Sequence, residues 1–283
     1  MREKILKNTV VSCWVIFGIL IAVHAFEAIV LKMDETVFGE NFINKMFGIL
    51  VLWLVLRILH LKWSDIGFAG NGILKNIARG AALSAAVFIP AYAAEFLILM
   101  GRGEDVRPGF FTSGFSLTGE AEIHTGAGFI LMCVFFNIIN VVMEEGTFRG
   151  LFYNILKTDR SENTAMLLQA FLFGIWHIVT PLHNLIEKQL DMGGFIGLSI
   201  GYIILAGIMG IKWALLYRIT GSIYMGMADH FFNNCIATNL LHTVTESGTD
   251  ELMILRVLIA QLLSFAIVMM IWKKQKKTPH RSY

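Results

Sequence analysis

The chain is poor in charge. Only 16% of its 283 residues are Asp, Glu, Lys or Arg, against roughly 25% in soluble domains. The charges it has lie between long apolar runs, 56% of the residues are hydrophobic and the mean hydropathy is +0.65. That balance excludes an ordinary soluble domain and points to a polytopic membrane protein. Cysteine is scarce as well. Cys13, Cys133 and Cys235 are odd in number and dispersed through apolar runs, which argues against a disulfide framework and a cysteine-based metal site. No Asn-x-Ser/Thr acceptor occurs, in keeping with a prokaryotic origin. No segment has the makings of a nucleic-acid patch. The one dense basic run, Lys273-Lys274-Gln275-Lys276-Lys277, adjoins an apolar segment and reads as a topology anchor on the cytoplasmic side.

What is present is a set of hydrophobic segments of bilayer length. A helix needs about 20 apolar residues to cross the hydrocarbon core. Eight segments are candidates: about 9–31, 43–60, 80–100, 126–146, 163–181, 194–217, 222–243 and 251–272. The expected fold class is all-α, a polytopic membrane protein of about eight transmembrane helices. A single transmembrane domain over 1–283 is expected, with no second domain and no repeat. The first run is basic and then apolar, yet it is long and lacks a small-residue cleavage site, so it reads as a retained span. The sixth is the least regular, because Lys212 interrupts it. Lys and Arg concentrate around 57–79, around 149–162 and at both ends, whereas 101–125 carries Glu104, Asp105, Glu120 and Glu122. Positive-inside reasoning then puts both termini in the cytoplasm, in a plasma membrane.

The fourth segment holds the unusual chemistry. It runs into Asn137-Ile-Ile-Asn140-Val-Val-Met-Glu144-Glu145-Gly-Thr-Phe-Arg149. Ionisable groups in a membrane helix cost roughly 2.5–3.5 kcal/mol each on insertion scales and usually mark function. On a helix Asn137, Asn140 and Glu144 form one polar stripe. Glu145 and Arg149 stand four apart, the spacing at which opposite charges meet. Glu144 is therefore expected to face a site while Arg149 holds Glu145. Gly146 and Gly150 are candidates for a helix break beside this motif. Segment five carries Phe173 and His177, one turn apart, and Phe173 could wall a site. Counted outward from the turn near 158–162, Glu144 and His177 reach similar depth. Segment seven adds His230 and Asn234, again four apart and on one face.

Taken singly, each membrane histidine or asparagine can be an interhelical hydrogen bond worth about 0.6–2 kcal/mol. Together with an unpaired carboxylate they point to hydrolysis. A buried glutamate beside a histidine can take a proton from water. His230 and Asn234 are suitable donors to the oxygen that becomes negative when a peptide carbonyl is attacked.

Glu144-Glu145-x-x-x-Arg149, Phe173-x-x-x-His177 and His230-x-x-x-Asn234 resemble the three motifs of the CAAX protease and bacteriocin-processing (Abi) family of intramembrane endopeptidases, whose eukaryotic relatives are the type II CAAX prenyl proteases. The resemblance covers about 126–243 and departs at no motif position. It implies an eight-helix fold open to the cytoplasmic leaflet, Glu144 and His177 activating water, and His230 and Asn234 as the oxyanion hole. By the same analogy Glu145 and Arg149 would play supporting roles; Phe173 and Asn140 are supporting candidates from their spacing beside His177 and Glu144. The implied substrate is a peptide or membrane protein, lipidated or not, met within the lipid. Because the family also includes members associated with bacteriocin immunity, transport or scaffolding, a non-enzymatic transporter or immunity factor remains an alternative.

A zinc protease is the rival within enzymes. Glu144, His177 and His230 would supply a two-His, one-Glu site, but no His-Glu-x-x-His motif occurs, and the resemblance favours a mechanism without cofactor. Gly197-Leu-Ser199-Ile-Gly201 spells a serine-hydrolase elbow, which needs a strand-to-helix turn. Here Gly193, Gly197 and Gly201 lie in an apolar helix at a spacing suited to close helix packing. An aspartyl protease would need two membrane aspartates, and only Asp229 qualifies. It could orient a histidine or cap its helix. His24, Glu27 and Glu95 could line a cavity or a proton path.

Overall fold

The computed structural model describes residues 2–36, 40–68, 72–113 and 123–277. Glu120 and Glu122 of the acidic loop lie outside the described residues. The chain begins with α1 (Arg2–Lys7) and α2 (Thr9–Phe26), the latter started by Asn8, whose side chain accepts from Val11 N–H. A π turn, Glu27–Leu31, extends α2. After α3 (Ile43–Leu59) and α4 (Ile73–Gly101) comes α5 (Ala127–Glu144), which passes through a π-helical stretch, Glu145–Phe152, into α6 (Tyr153–Leu156). Ser161 caps α7 (Glu162–Trp176), which is followed by α8 (Val179–Ile186). Asp191 caps α9 (Met192–Thr220). Then come α10 (Tyr224–Phe231) with a π turn, Phe232–Ile236, and finally α11 (Met253–Lys277).

Among the described residues four short strands sit between the helices. β1 (Arg107–Phe110) pairs antiparallel with β4 (Leu241–Val244), Arg107 opposite Val244. β2 (Thr112–Ser113) pairs with β3 (Ile123–His124).

The fold is all-α and polytopic, as expected. Among the described residues six helices are long and apolar enough to cross a membrane: Thr9–Glu35, Ile73–Gly101, Ala127–Leu156, Glu162–Ile186, Met192–Thr220 and Met253–Lys276. The two expected segments outside that set differ for identifiable reasons. α3 has 17 helical residues, the short end of what the bilayer core needs. The 222–243 run is not one continuous helix. Ala237 N–H bonds back to Phe232 O, Thr238 Oγ1 bonds back to Asn233 O, and the chain then pairs with β1 as a strand. The segment interrupted by Lys212 is helical throughout, because the ammonium finds Asp229 and Gln261.

Between 22% and 50% of the most apolar window of each span is buried within the protein. The rest presents residues such as Val15, Ile19, Leu131, Ile200 and Ile204 outward, a surface matched to lipid rather than water. The protein is an integral membrane protein. Its interior is aromatic: Phe148, Phe152, Phe173, Trp176 and Trp213 are all at most 1% exposed. Close packing needs glycine at Gly174, where a Cβ would come 2.7 Å from Ile203 O on α9. The Gly193, Gly197 and Gly201 row does not make such a contact, since Gly197 and Gly201 face open space.

Candidate active site

Three segments converge. Glu144 ends α5, where the helix widens into the π-helical stretch. Such widenings recur at functional sites, and this one contains both Gly146 and Gly150. Glu144 is buried, at 3% exposed. Its Oε1 accepts from Lys45 Nζ at 2.9 Å and from Trp176 Nε1 at 2.9 Å. Its Oε2 has no hydrogen-bond partner among the described residues and lies 3.5 Å from His230 Nε2. One oxygen is thus anchored and the other is free to meet a ligand.

His230 sits on α10 and is held on every side. Its ring stacks on Trp213 at 3.9 Å and meets the edge of Phe173 at 6.1 Å. Nδ1 is 3.0 Å from Glu145 Oε1, and Nε2 is 3.1 Å from Asn234 Nδ2. Asn234 stands one turn on, in the π turn that closes α10. His177 follows α7 directly and is half-buried. Its Nδ1 donates to Phe173 O at 2.8 Å, a carbonyl being acceptor only, which leaves Nε2 as a lone pair. Phe173 packs against His177, His230 and Arg149 at once. Its ring thus lies among all three groups.

Glu145 and Arg149 pair at 3.3 Å, both essentially without exposure. The guanidinium lies 3.9 Å from the Phe173 ring centroid and 4.8 Å from that of Trp213, where cation–π attraction supplements the ion pair. Glu145 therefore bridges Arg149 and His230. The polar stripe on α5 is divided in its contacts. Asn137 Nδ2 is spent on its own helix, at Cys133 O, and Asn140 is only partly buried, with Oδ1 unpartnered.

Other charged groups have structural partners. Glu27 accepts from Ile43 N–H, Asn44 N–H and Asn44 Nδ2, capping the start of α3. Glu95 pairs with Arg256 at 2.6 Å. Asp229 neither orients a histidine nor caps its helix. It takes the buried Lys212 ammonium at 2.5 Å, Trp213 Nε1 at 2.7 Å and Ser84 Oγ at 2.7 Å. His24 lies near Glu144's partner Trp176, stacked on its ring at 4.3 Å.

Several contributors escape a reading of motifs. Lys45, Trp176 and Trp213 belong to none of the three motifs. The signal available for Lys45 and Lys212 was the same one used for Glu144: a lone charge inside an apolar run.

Zinc fits this arrangement poorly. Among the described residues no three His, Cys, Asp or Glu side chains are grouped so as to hold a metal ion. Both nitrogens of His230 are engaged, so ligation by Glu144, His177 and His230 would require breaking those bonds.

Residues 126–236 match the family model described as type II CAAX prenyl endopeptidase Rce1-like. That range contains all three motifs and stops short of α11; it also leaves out α2 and α3, the source of Lys45. The likeness carried by the motifs is thus to that family of intramembrane CAAX-type proteases. No curated protein and no solved structure matches the chain.

Proposed function

We propose that the chain is an intramembrane endopeptidase in which Glu144, assisted by His177, activates water against a peptide carbonyl. The observation that carries this reading is the Glu144 carboxylate itself. One oxygen is fixed by Lys45 and Trp176, and the other is buried and unpartnered, 3.5 Å from His230 Nε2. A buried carboxylate without a full set of donors is an expensive arrangement. A water placed at the free oxygen would satisfy it, and would be the nucleophile. Glu144 takes the water's proton as its oxygen adds to the carbonyl carbon. His177 receives the same water from a second side through its Nε2 lone pair. The carbonyl oxygen, now negative, lies toward Asn234 and His230, which stabilise it with N–H groups. The tetrahedral centre then collapses, the C–N bond breaks and the proton passes to the leaving amine.

Each step uses side chains of this chain and none requires a metal. Glu145, Arg149, Trp213 and Phe173 keep His230 in place. The substrate is a peptide or membrane protein reaching the site from the lipid, with both termini of the enzyme on the cytoplasmic side. Similarity to the CAAX prenyl endopeptidases supports a substrate with a lipidated C-terminal segment. The test is hydrolysis by full-length protein in nanodiscs, offered prenylated and unmodified peptides. Glu144→Ala and His177→Ala are expected to abolish cleavage while leaving insertion and thermal unfolding close to the parent protein. Undiminished cleavage by Glu144→Ala would remove the proposed base and the mechanism with it.

A further inference from the structure

Six polar side chains form one continuous chain behind the site. Lys212 Nζ donates to Gln261 Oε1 at 2.6 Å, and Gln261 Nε2 donates to Asn233 Oδ1 at 2.8 Å. Asn233 Nδ2 donates to Asn234 Oδ1 at 2.7 Å. Asn234 Nδ2 then meets His230 Nε2 at 3.1 Å, and His230 Nδ1 meets Glu145 Oε1 at 3.0 Å. Lys212 is on α9 and Gln261 on α11, both sealed from solvent and outside the three motifs.

The direction of this chain is not free. An ammonium only donates, and Lys212 Nζ lies 2.5 Å from the Asp229 carboxylate, which only accepts. Gln261 must therefore turn its oxygen to Lys212 and its nitrogen to Asn233. Asn233 must do likewise toward Asn234, and Asn234 is left with its NH2 against His230. An amide NH2 cannot accept, so His230 Nε2 must be the lone pair. The ring hydrogen is then on Nδ1, where the Glu145 carboxylate, acceptor only, receives it. A donor-only group at one end and an acceptor at the other select one polarity for every link between them.

We infer that Lys212, acting through Gln261 and Asn233, is a positioning residue that orients the Asn234 amide and sets the tautomer of His230. The tautomer follows from the hydrogen-bond geometry alone; its catalytic consequence rests on the function proposed above. In the resting chain His230 Nε2 cannot donate to an oxyanion, because it carries no hydrogen. It can accept the proton that Glu144 removes from water, being 3.5 Å from Glu144 Oε2. The O–H bond of water breaks, the hydroxide oxygen bonds the carbonyl carbon, and the proton passes through Glu144 to Nε2. The imidazolium so formed is balanced by Glu145. It also releases the Asn234 N–H that Nε2 had accepted, so both groups then face the oxyanion as donors. When the C–N bond breaks, the Nε2 proton leaves on the amine. The oxyanion hole is completed by the same proton that creates the nucleophile.

The test is 15N NMR of the full chain with 15N-histidine in nanodiscs, the His230 signals being assigned by their loss in His230→Gln. The expected result is one protonated and one unprotonated nitrogen, with couplings that place the hydrogen on Nδ1. Gln261→Glu retains side-chain size and gives Lys212 a carboxylate, but it offers Asn233 only acceptors. Each amide along the chain must then turn over, and Nε2 must carry a hydrogen. The spectrum should show Nε2–H, and peptide hydrolysis should fall by about 10²-fold, as for a misassembled oxyanion hole. Hydrogen on Nε2 in the parent chain, or an unchanged ring in Gln261→Glu, overturns the inference. The expected spectra together with cleavage that survives Glu144→Ala would leave the positioning chain standing and sink the catalytic reading instead.

Discussion

Replacing Lys45 by methionine isolates the contact that anchors the proposed base. Lys45 Nζ and Glu144 Oε1 are 2.9 Å apart, with side-chain exposures of 12% and 4%. At an effective dielectric of about 20, two unit charges at that distance attract by about 6 kcal/mol. Part of this is offset by the desolvation of both ions, and the Trp176 N–H still donates to the carboxylate after the change. Removing one partner of a buried pair destabilises by about 3–5 kcal/mol, chiefly because the surviving charge is left uncompensated. Lys45→Met should therefore lower unfolding free energy by about that amount. In a Glu144→Gln background the same substitution loses only the contact of the ammonium with the Trp176 ring, 5.1 Å away, worth about 0.5–1 kcal/mol. The double-mutant cycle should give a coupling of about 2–4 kcal/mol. The assay is reversible unfolding of full-length protein in mixed micelles, followed by tryptophan fluorescence and repeated at two protein concentrations. A coupling below about 0.5 kcal/mol, the level of an exposed pair, would refute the account of Glu144 as a buried carboxylate that needs this cation.

Further expectations follow from other contacts. Asn234→Ala should reduce the rate of peptide hydrolysis by about 10²–10³-fold with little change in KM, as loss of one oxyanion donor does; a KM effect alone would make Asn234 a substrate contact instead. Arg149→Met should destabilise by about 3–5 kcal/mol because Glu145 is left unpaired at a site with 1% exposure. Adding Glu145→Gln should recover part of that loss, and strict additivity would refute the pairing. Hydrolysis should persist after exhaustive chelation in protein shown by elemental analysis to lack zinc, because the His230 nitrogens are already engaged. Asp250 yields a pH test. Burial pushes its carboxyl up, but the hydrogen bond from His242, the charge of Arg256 and the Thr243 N–H together hold it below the usual range. A depressed carboxyl stabilises above its unfolded value, about 3.9, and that contribution disappears as pH falls through the folded value. Amide exchange in β1 and β4, corrected for its intrinsic pH dependence, should therefore rise below about pH 4. An equal rise in Asp250→Asn would assign the change to another group.

Much of the candidate site could be read before any coordinates. Glu144, Glu145, Arg149, His177, His230 and Asn234 stood out because an ionisable or amide side chain is costly in lipid, and the four-residue spacing placed each pair, Phe173 with His177 included, on one helix face. The same rule applies to Lys45 and Lys212, yet a spacing argument has no way to pair residues 99 apart, such as Lys45 and Glu144. Asp229 shows the limit from the other side. Its place beside His230 suggested a histidine partner, but adjacent residues on a helix point in different directions, and Asp229 faces Lys212 on another helix.

Composition and hydrophobic run length by themselves determined that this chain is helical and lives in a membrane, because lipid leaves the backbone few ways to satisfy its own hydrogen bonds. They did not determine where the seventh apolar run stops. Hydropathy counts side chains, whereas the end of that helix is decided by the pairing of β4 with β1, a distant strand. Tertiary structure alone decided which oxygen of Glu144 is tied and which is free, and which nitrogen of His230 holds the hydrogen. Both depend on donors delivered by α3, α7, α9 and α11, and the direction of a hydrogen bond exists only once donor and acceptor have met.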